Sequence, residues 1–229
     1  MRNKQSRGKF DKIKELPDEI LVDGIKHCMD NSKELFSSAL ILKRNKKIGI
    51  AHSLLILSLE ELIKAISIFN ILVSGQDVKE TMREIFESKN LHQSKHNFAL
   101  FFNEYLKMIN PKKIIKVDLD FDNPKEFSKN ILEKFDWEKL FKNVDIENAK
   151  IDNWFKEANK KKNIGLYVDF NNSWCTPKRI EEIDLLNALK ETKNIRKKIS
   201  PFLEQFVMYD EEQIKINIEI IRKMLEDFK

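Results

Sequence analysis

Ile48-Gly-Ile-Ala-His52-Ser-Leu-Leu-Ile-Leu-Ser-Leu-Glu60-Glu61-Leu-Ile-Lys64-Ala-Ile-Ser-Ile-Phe-Asn-Ile-Leu-Val73 is the most apolar run of the chain, and its reading decides the fold. His52, Glu60, Glu61 and Lys64 interrupt it within a span that would have to cross lipid, where charges are costly, so it reads as a helix buried in a soluble bundle. Just upstream, Pro17-Asp18-Glu19 supplies the proline and acidic residues of a helix's first turn. From there Ile25, Cys28, Ser32, Leu35, Ala39 and Leu42 recur at spacings of three and four, one helical stripe. Arg44-Asn45-Lys46-Lys47 ends that helix with positive charge suited to its C-terminal dipole, and the apolar helix then runs to about Ser74-Gly75. So short a link between two long helices predicts an antiparallel hairpin.

The remaining chain is read around that hairpin. Residues 1–15 form a Lys/Arg-rich lead-in. Val78 to Glu87 reads as a short helix, and Leu91 to Ile109 as another, rich in phenylalanine and ended by Asn110-Pro111. Lys116 to Asp122 alternates apolar and charged residues, as a short strand or an extended loop would. A helical stretch follows from Asn123-Pro124 to about Phe141, and a further helix from Ile146 is expected to end at Lys160-Lys161-Lys162. Ile164 to Phe170 reads as a short strand or extended segment; Pro177 starts a helix to about Ile199, Ser200-Pro201 breaks it, and Asp210 to Phe228 is a last amphipathic helix. Trp137, Trp154 and Trp174 read as core anchors.

Composition narrows the function classes. With 229 residues the chain can bury a real core without disulfides, and 41% apolar with 34% charged residues is a globular composition. Five glycines and five prolines are too few for turn-rich all-β folds, P-loops or Gly-rich dinucleotide sites. Cys28 and Cys175 are too few for a disulfide framework or a cysteine zinc site, and the basic N-terminus lacks a signal peptide's apolar stretch, so a cytoplasmic location is expected. A net charge of +5 neither requires nor excludes nucleic acid. The chain reads as one helical domain from residue 16 to 229, with a central mixed insertion over about 111–162.

Three features carry chemistry. In the apolar run, His52, Ile56, Glu60 and Lys64 share one stripe while Glu61 lies with Leu54 and Leu57, so at least one carboxylate should face inward and need a partner. The bland reading is a structural ion pair or an exposed Glu60–Lys64 pair. His92-Gln93-Ser94-Lys95-His96 places two histidines and a lysine on one helical face. Gln93 stands where the zinc-protease pattern needs Glu, so the group suits metal-independent phosphodiester cleavage better: one imidazole takes a 2′-OH proton, the other serves the leaving oxygen, and Lys95 steadies the phosphorane. The alternative is a helix start with an ordinary surface histidine. Lys161-Lys162 leading into Tyr167 and Asp169 can hold a phosphate backbone and stack a base, or can be a solvated helix end with Leu166, Val168 and Phe170 in the core.

Residues 50–65, Ile-Ala-His52-Ser-Leu-Leu-Ile-Leu-Ser-Leu-Glu60-Glu61-Leu-Ile-Lys64-Ala, resemble the "A-H-S-x-L-A-L-E-E-x-x-K-A" helix of the abortive infection AbiV family, a branch of the HEPN superfamily. His92 to His96 is similar to that family's following "H-x-x-K" element, and Gly165 to Phe170 resembles its "L-Y-V-D" segment. The resemblance implies an all-α HEPN-like helical bundle that dimerises through bundle helices, a role in bacteriophage defence, and translation shut-off through metal-independent RNA cleavage. It implies RNA and a phage-encoded trigger or regulator as partners, with no metal, other cofactor or membrane. The usual HEPN arginine, separated from a following histidine by four to six residues, is missing: the gaps from Arg44 to His52 and from Arg83 to His92 are longer than that. Either the site is rebuilt from Glu61, Lys64, His92, Lys95 and His96 with His52, or the protein keeps the fold and works by binding.

Overall fold

The computed structural model describes residues 8–74, 86–87, 153–171 and 173–227. Its first three helices are α1 (Lys9–Lys14), α2 (Asp18–Arg44) and α3 (Ile48–Ser74). α2 and α3 form the expected antiparallel hairpin, with Gly24 against Ile68 and Ser32 against Ser58. The turn closes tightly. Lys47 N–H donates to the Leu42 carbonyl at 2.9 Å and Lys46 N–H to that of Lys43 at 3.0 Å, with Lys46 at φ 56°, the left-handed position that glycine usually takes. A side chain there costs about 1 kcal/mol, which the closure of the two orphan carbonyls offsets.

Beyond the hairpin lie α4 (Asn153–Leu166), a two-stranded ribbon of β1 (Asp169–Asn171) and β2 (Ser173–Cys175), a 3₁₀ turn at Pro177–Arg179, α5 (Glu182–Met208) and α6 (Glu211–Asp227). The strands are antiparallel, with Asp169 opposite Cys175 and Asn171 opposite Ser173. The fold is all-α, as expected. α3 is its axis: α2, α4, α5 and α6 all pack on it, and most of its residues are buried. That is why its sequence is apolar on nearly every face, and no stripe of polar residues marks an outer side. Among the described residues no helix is long and apolar enough to cross a membrane.

Four expectations need correction. The helix expected to end at Lys162 continues through Gly165 to Leu166, because Lys162 is buried and not part of a solvated end. The extended segment is correspondingly shorter and pairs with a second strand. Ser200-Pro201 does not break α5, which carries Pro201 inside it to Met208. Leu203 and Phe206 beyond the proline are fully buried, and the Phe69 ring stands edge-on to both Phe202 and Phe206 with centroids 5.0 Å apart. Burying two such side chains contributes about 3–6 kcal/mol, against about 3 for the proline's lost hydrogen bond and ring clash. The lead-in is not wholly separate from the core either: α1 buries Phe10, whose ring meets Phe86 at 6.2 Å.

At the other end, Asp210 caps α6 by accepting from Gln213 N–H at 2.8 Å. Arg222 ties that helix back to the hairpin, donating to the Leu72 carbonyl and, at 2.8 Å, to Asp18. Trp137 and the side chains of Trp154 and Trp174 lie outside the described residues, as do the segments read as helices over 91–109 and 123–141 and the alternating segment 116–122.

Candidate functional site

The polar residues of α3 leave the helix in different directions, and each direction has its own neighbour. Toward α4, Ser53 Oγ donates to the Lys162 carbonyl at 2.7 Å, with the Gly49 carbonyl at 3.1 Å. About two turns further along, Glu60 accepts from Lys162 Nζ at 2.9 Å. The two side chains of this ion pair are 2% and 3% exposed, so neither charge reaches water. Burial pulls the Lys162 ammonium below its ordinary pKa, and the Glu60 hydrogen bond and charge work against that pull. Gly165 and Gly49 make the crossing possible. A Cβ on Gly165 would collide with Ser53 Oγ and the Gly49 carbonyl, and one on Gly49 would collide with the Pro177 carbonyl.

His52 sits at the same end of α3, fully buried, and neither ring nitrogen has a hydrogen-bond partner among the described residues. Burial holds its pKa down to about 4; the Asp184 charge works the other way and Lys161 reinforces the drop, so the imidazole is neutral at ordinary pH. Asp184 is the acidic residue of a reciprocal capping box at the start of α5, in which Glu181 N–H donates to Asp184. Its carboxylate also takes a hydrogen bond from Lys161 Nζ at 2.7 Å, and Glu157 stands 3.4 Å from the same ammonium. Burial pushes the Asp184 carboxyl up, but Lys161, the Glu181 N–H and His52 together hold it below its ordinary value. Donating to the Asp184 carboxylate in turn raises the Lys161 pKa.

On the opposite side, Ser58 meets Ser32 of α2 and Arg196 of α5. The two hydroxyls donate to each other's backbone carbonyls at 2.7 Å, so their oxygens are left to accept, and Arg196 Nη1 donates to Ser32 Oγ at 2.5 Å. Thr192, one turn before Arg196, reaches the Leu55 carbonyl at 3.4 Å.

One line of α3 remains partly open: Leu54, Leu57, Glu61 and Lys64, at spacings of three, four and three. Both Glu61 carboxylate oxygens accept from Lys64 Nζ, at 2.6 and 2.7 Å. The paired glutamates therefore divide, Glu60 facing inward and Glu61 outward. His52 lies nine residues before Glu61, about 13 Å along the axis and half a turn round, so the fold does not bring these two candidates together. His92, Lys95 and His96 lie outside the described residues. Of the four residues expected to hold RNA, Lys162 is instead buried on Glu60 and so is not presented to a ligand, while Lys161 is tied to Asp184 and Glu157. Tyr167 stands 62% exposed, and Asp169 begins β1, its side chain outside the described residues. Sequence reading missed Ser32, Ser58, Asp184 and Arg196; the signal available was the Glu181-x-x-Asp184 capping pattern ahead of α5.

A long helical hairpin whose buried second helix carries Ala-His-Ser and Glu-Glu-x-x-Lys, with its charges divided between the core and an open strip, is a bundle of the HEPN class. The AbiV family model of that superfamily matches residues 20–197, and the chain belongs to the AbiV family. Its function is of the abortive-infection, HEPN type. Comparison with curated proteins and with solved structures gave no match.

Proposed function

We propose that the protein acts in bacteriophage defence by inhibiting translation, as an RNA endonuclease that needs no metal. The observation that supports this reading is the Glu61–Lys64 pair, which lies on the partly open line of a helix whose other charged residue, Glu60, is locked inside. Chemically, the pair joins the two histidines and lysine at residues 92–96. One neutral imidazole takes the proton of an RNA 2′-OH as its oxygen attacks the adjacent phosphorus. The P–O5′ bond breaks, and the 5′-oxygen leaves with a proton from the second, protonated imidazole. Lys64 and Lys95 hold the charge on the phosphorane, and Glu61 orients a histidine or raises its basicity. The protein works as a homodimer and answers to a phage-encoded trigger or regulator.

The test is RNA cleavage by purified protein in EDTA, wild type beside His92→Ala, His96→Ala and Glu61→Gln. Loss of a general acid or base lowers the rate about 10²- to 10⁴-fold. Absence of cleavage by wild type under every activating condition, or equal cleavage by the variants, overturns the reading.

A second reading is favoured by a different observation: His52, Ser53 and Glu60 of the family helix are all used in the buried core or in seating α4. On that reading the protein is a non-catalytic module acting through a protein or ribosome partner. Toxicity of Glu61→Gln and His92→Ala that tracks only the amount of folded protein would favour it.

A further inference from the structure

Arg196 is the most unusual cation among the described residues. Its guanidinium is half-buried, yet it makes no ion pair there; its hydrogen bonds go to the hydroxyls of Ser32, at 2.5 Å, and Ser58, at 3.4 Å, and it lies over the Phe36 ring at 5.0 Å. Burial pulls its pKa below the ordinary value, with the Glu204 charge opposing the pull. A desolvated arginine is ordinarily matched by a carboxylate. Glu204 does not fill that place, since it pairs with Lys33 at 3.2 Å.

The proton count shows how the group is held. Each serine has committed its one proton to the other's backbone carbonyl, so the hydroxyl oxygens are acceptors only and anchor Arg196 through Nη1. Among the described residues the Nε and Nη2 edge has no partner, and its N–H groups form the fork that matches two phosphate oxygens. Held between three helices and stacked on Phe36, this fork loses little freedom when it binds. Around it α5 is strongly basic: Lys190, Lys193, Lys197 and Lys198 flank Arg196 against a single carboxylate, Glu191, in residues 190–198. Lys193 and Lys197 are exposed and, with Lys190, recur at spacings of three and four on one face.

We propose that Arg196, with Lys193 and Lys197 beside it, is a phosphodiester-binding site through which α5 seats an RNA strand. The choice of RNA as the polyanion rests on the ribonuclease reading, whereas the phosphate chemistry stands on the geometry of Arg196. Ser58, which Arg196 contacts, lies one turn before Glu61 on α3, and the site acts in binding, not in bond breaking.

The experiment measures binding of fluorescein-labelled, 2′-O-methylated RNA by anisotropy, over a range of salt, so that cleavage plays no part. Arg196→Gln is expected to weaken binding about tenfold or more, and to reduce the slope of log K against log salt by about 0.7. Arg196→Lys keeps the charge but not the fork and recovers only part of the loss. Lys193→Gln/Lys197→Gln, which touches no core contact, weakens binding with an unchanged melting temperature, while Lys26→Gln on α2 has no effect. Wild type that does not bind, or Arg196 and lysine variants that bind like wild type, overturns the proposal. RNA binding lost in these variants while wild type cuts no RNA removes the ribonuclease reading alone, and cleavable RNA cut and bound equally by all removes this one alone.

Discussion

Replacing His52 by leucine should remove an acid sensitivity that the buried imidazole builds into the fold. The ring is fully buried and titrates near 4 in the folded chain against 6.5 ordinarily. Above pH 6.5 it is neutral whether folded or not and contributes no pH dependence. Between the two values the unfolded chain binds a proton that the folded one refuses, so stability falls as the pH drops through this window. At about 1.4 kcal/mol for each pH unit of separation, the loss reaches about 3 kcal/mol by pH 4. For a chain of this size that is roughly 6–12 °C in melting temperature. The assay is urea denaturation of wild type and His52→Leu at several values from pH 7.5 to pH 4. Carboxylates such as Asp184 add their own acid loss to both proteins, so the difference between the two curves isolates the imidazole. It should grow steadily below pH 6.5 and level off near 4. Curves that stay parallel across the window refute the argument, because they would mean that His52 takes its proton as readily folded as unfolded.

Two further outcomes concern the seating of α4. Lys162→Met removes the buried cation that faces the Glu60 carboxylate and should cost about 3–5 kcal/mol at pH 7. Adding Glu60→Leu should restore most of that loss, and a double variant as unstable as the single one in chemical denaturation would show that the pair is not what holds the two helices. Gly165→Ala should destabilise by about 1–3 kcal/mol through overpacking against Ser53 and Gly49. By contrast Gly24→Ala, whose added carbon meets Ile68 at an ordinary 3.5 Å, should be neutral or stabilising by about 0.5–1 kcal/mol, as thermal melts of the two variants will tell.

The hairpin was legible because its signals are local. An apolar run of helical length, a stripe at spacings of three and four, and a short basic link depend on neighbours within a few turns, and they need no knowledge of the rest of the chain. Pro201 shows where local signals stop. A proline reads as a breaker from its missing N–H, but burial of Leu203 and Phe206 outweighs that loss, and this burial comes from helices far away in sequence. The same limit applies to Lys160 to Lys162, which as text are one basic run. In the fold Lys160 is exposed, Lys161 is bound to Asp184, and Lys162 lies in the core on Glu60.

By itself, then, the sequence determined the all-helical class, the hairpin, the family motifs and the need for a partner to an inward carboxylate. Which glutamate turns inward was beyond it, since Glu60 and Glu61 differ only by 100° of helix rotation and every face of α3 is similarly apolar. That choice was made by tertiary structure: α4 brings Lys162 to one face at 2.9 Å, and the other face is left partly open. Arg196 was likewise invisible, because its lack of a carboxylate partner among the described residues is a property of three helices meeting and not of any spacing within one.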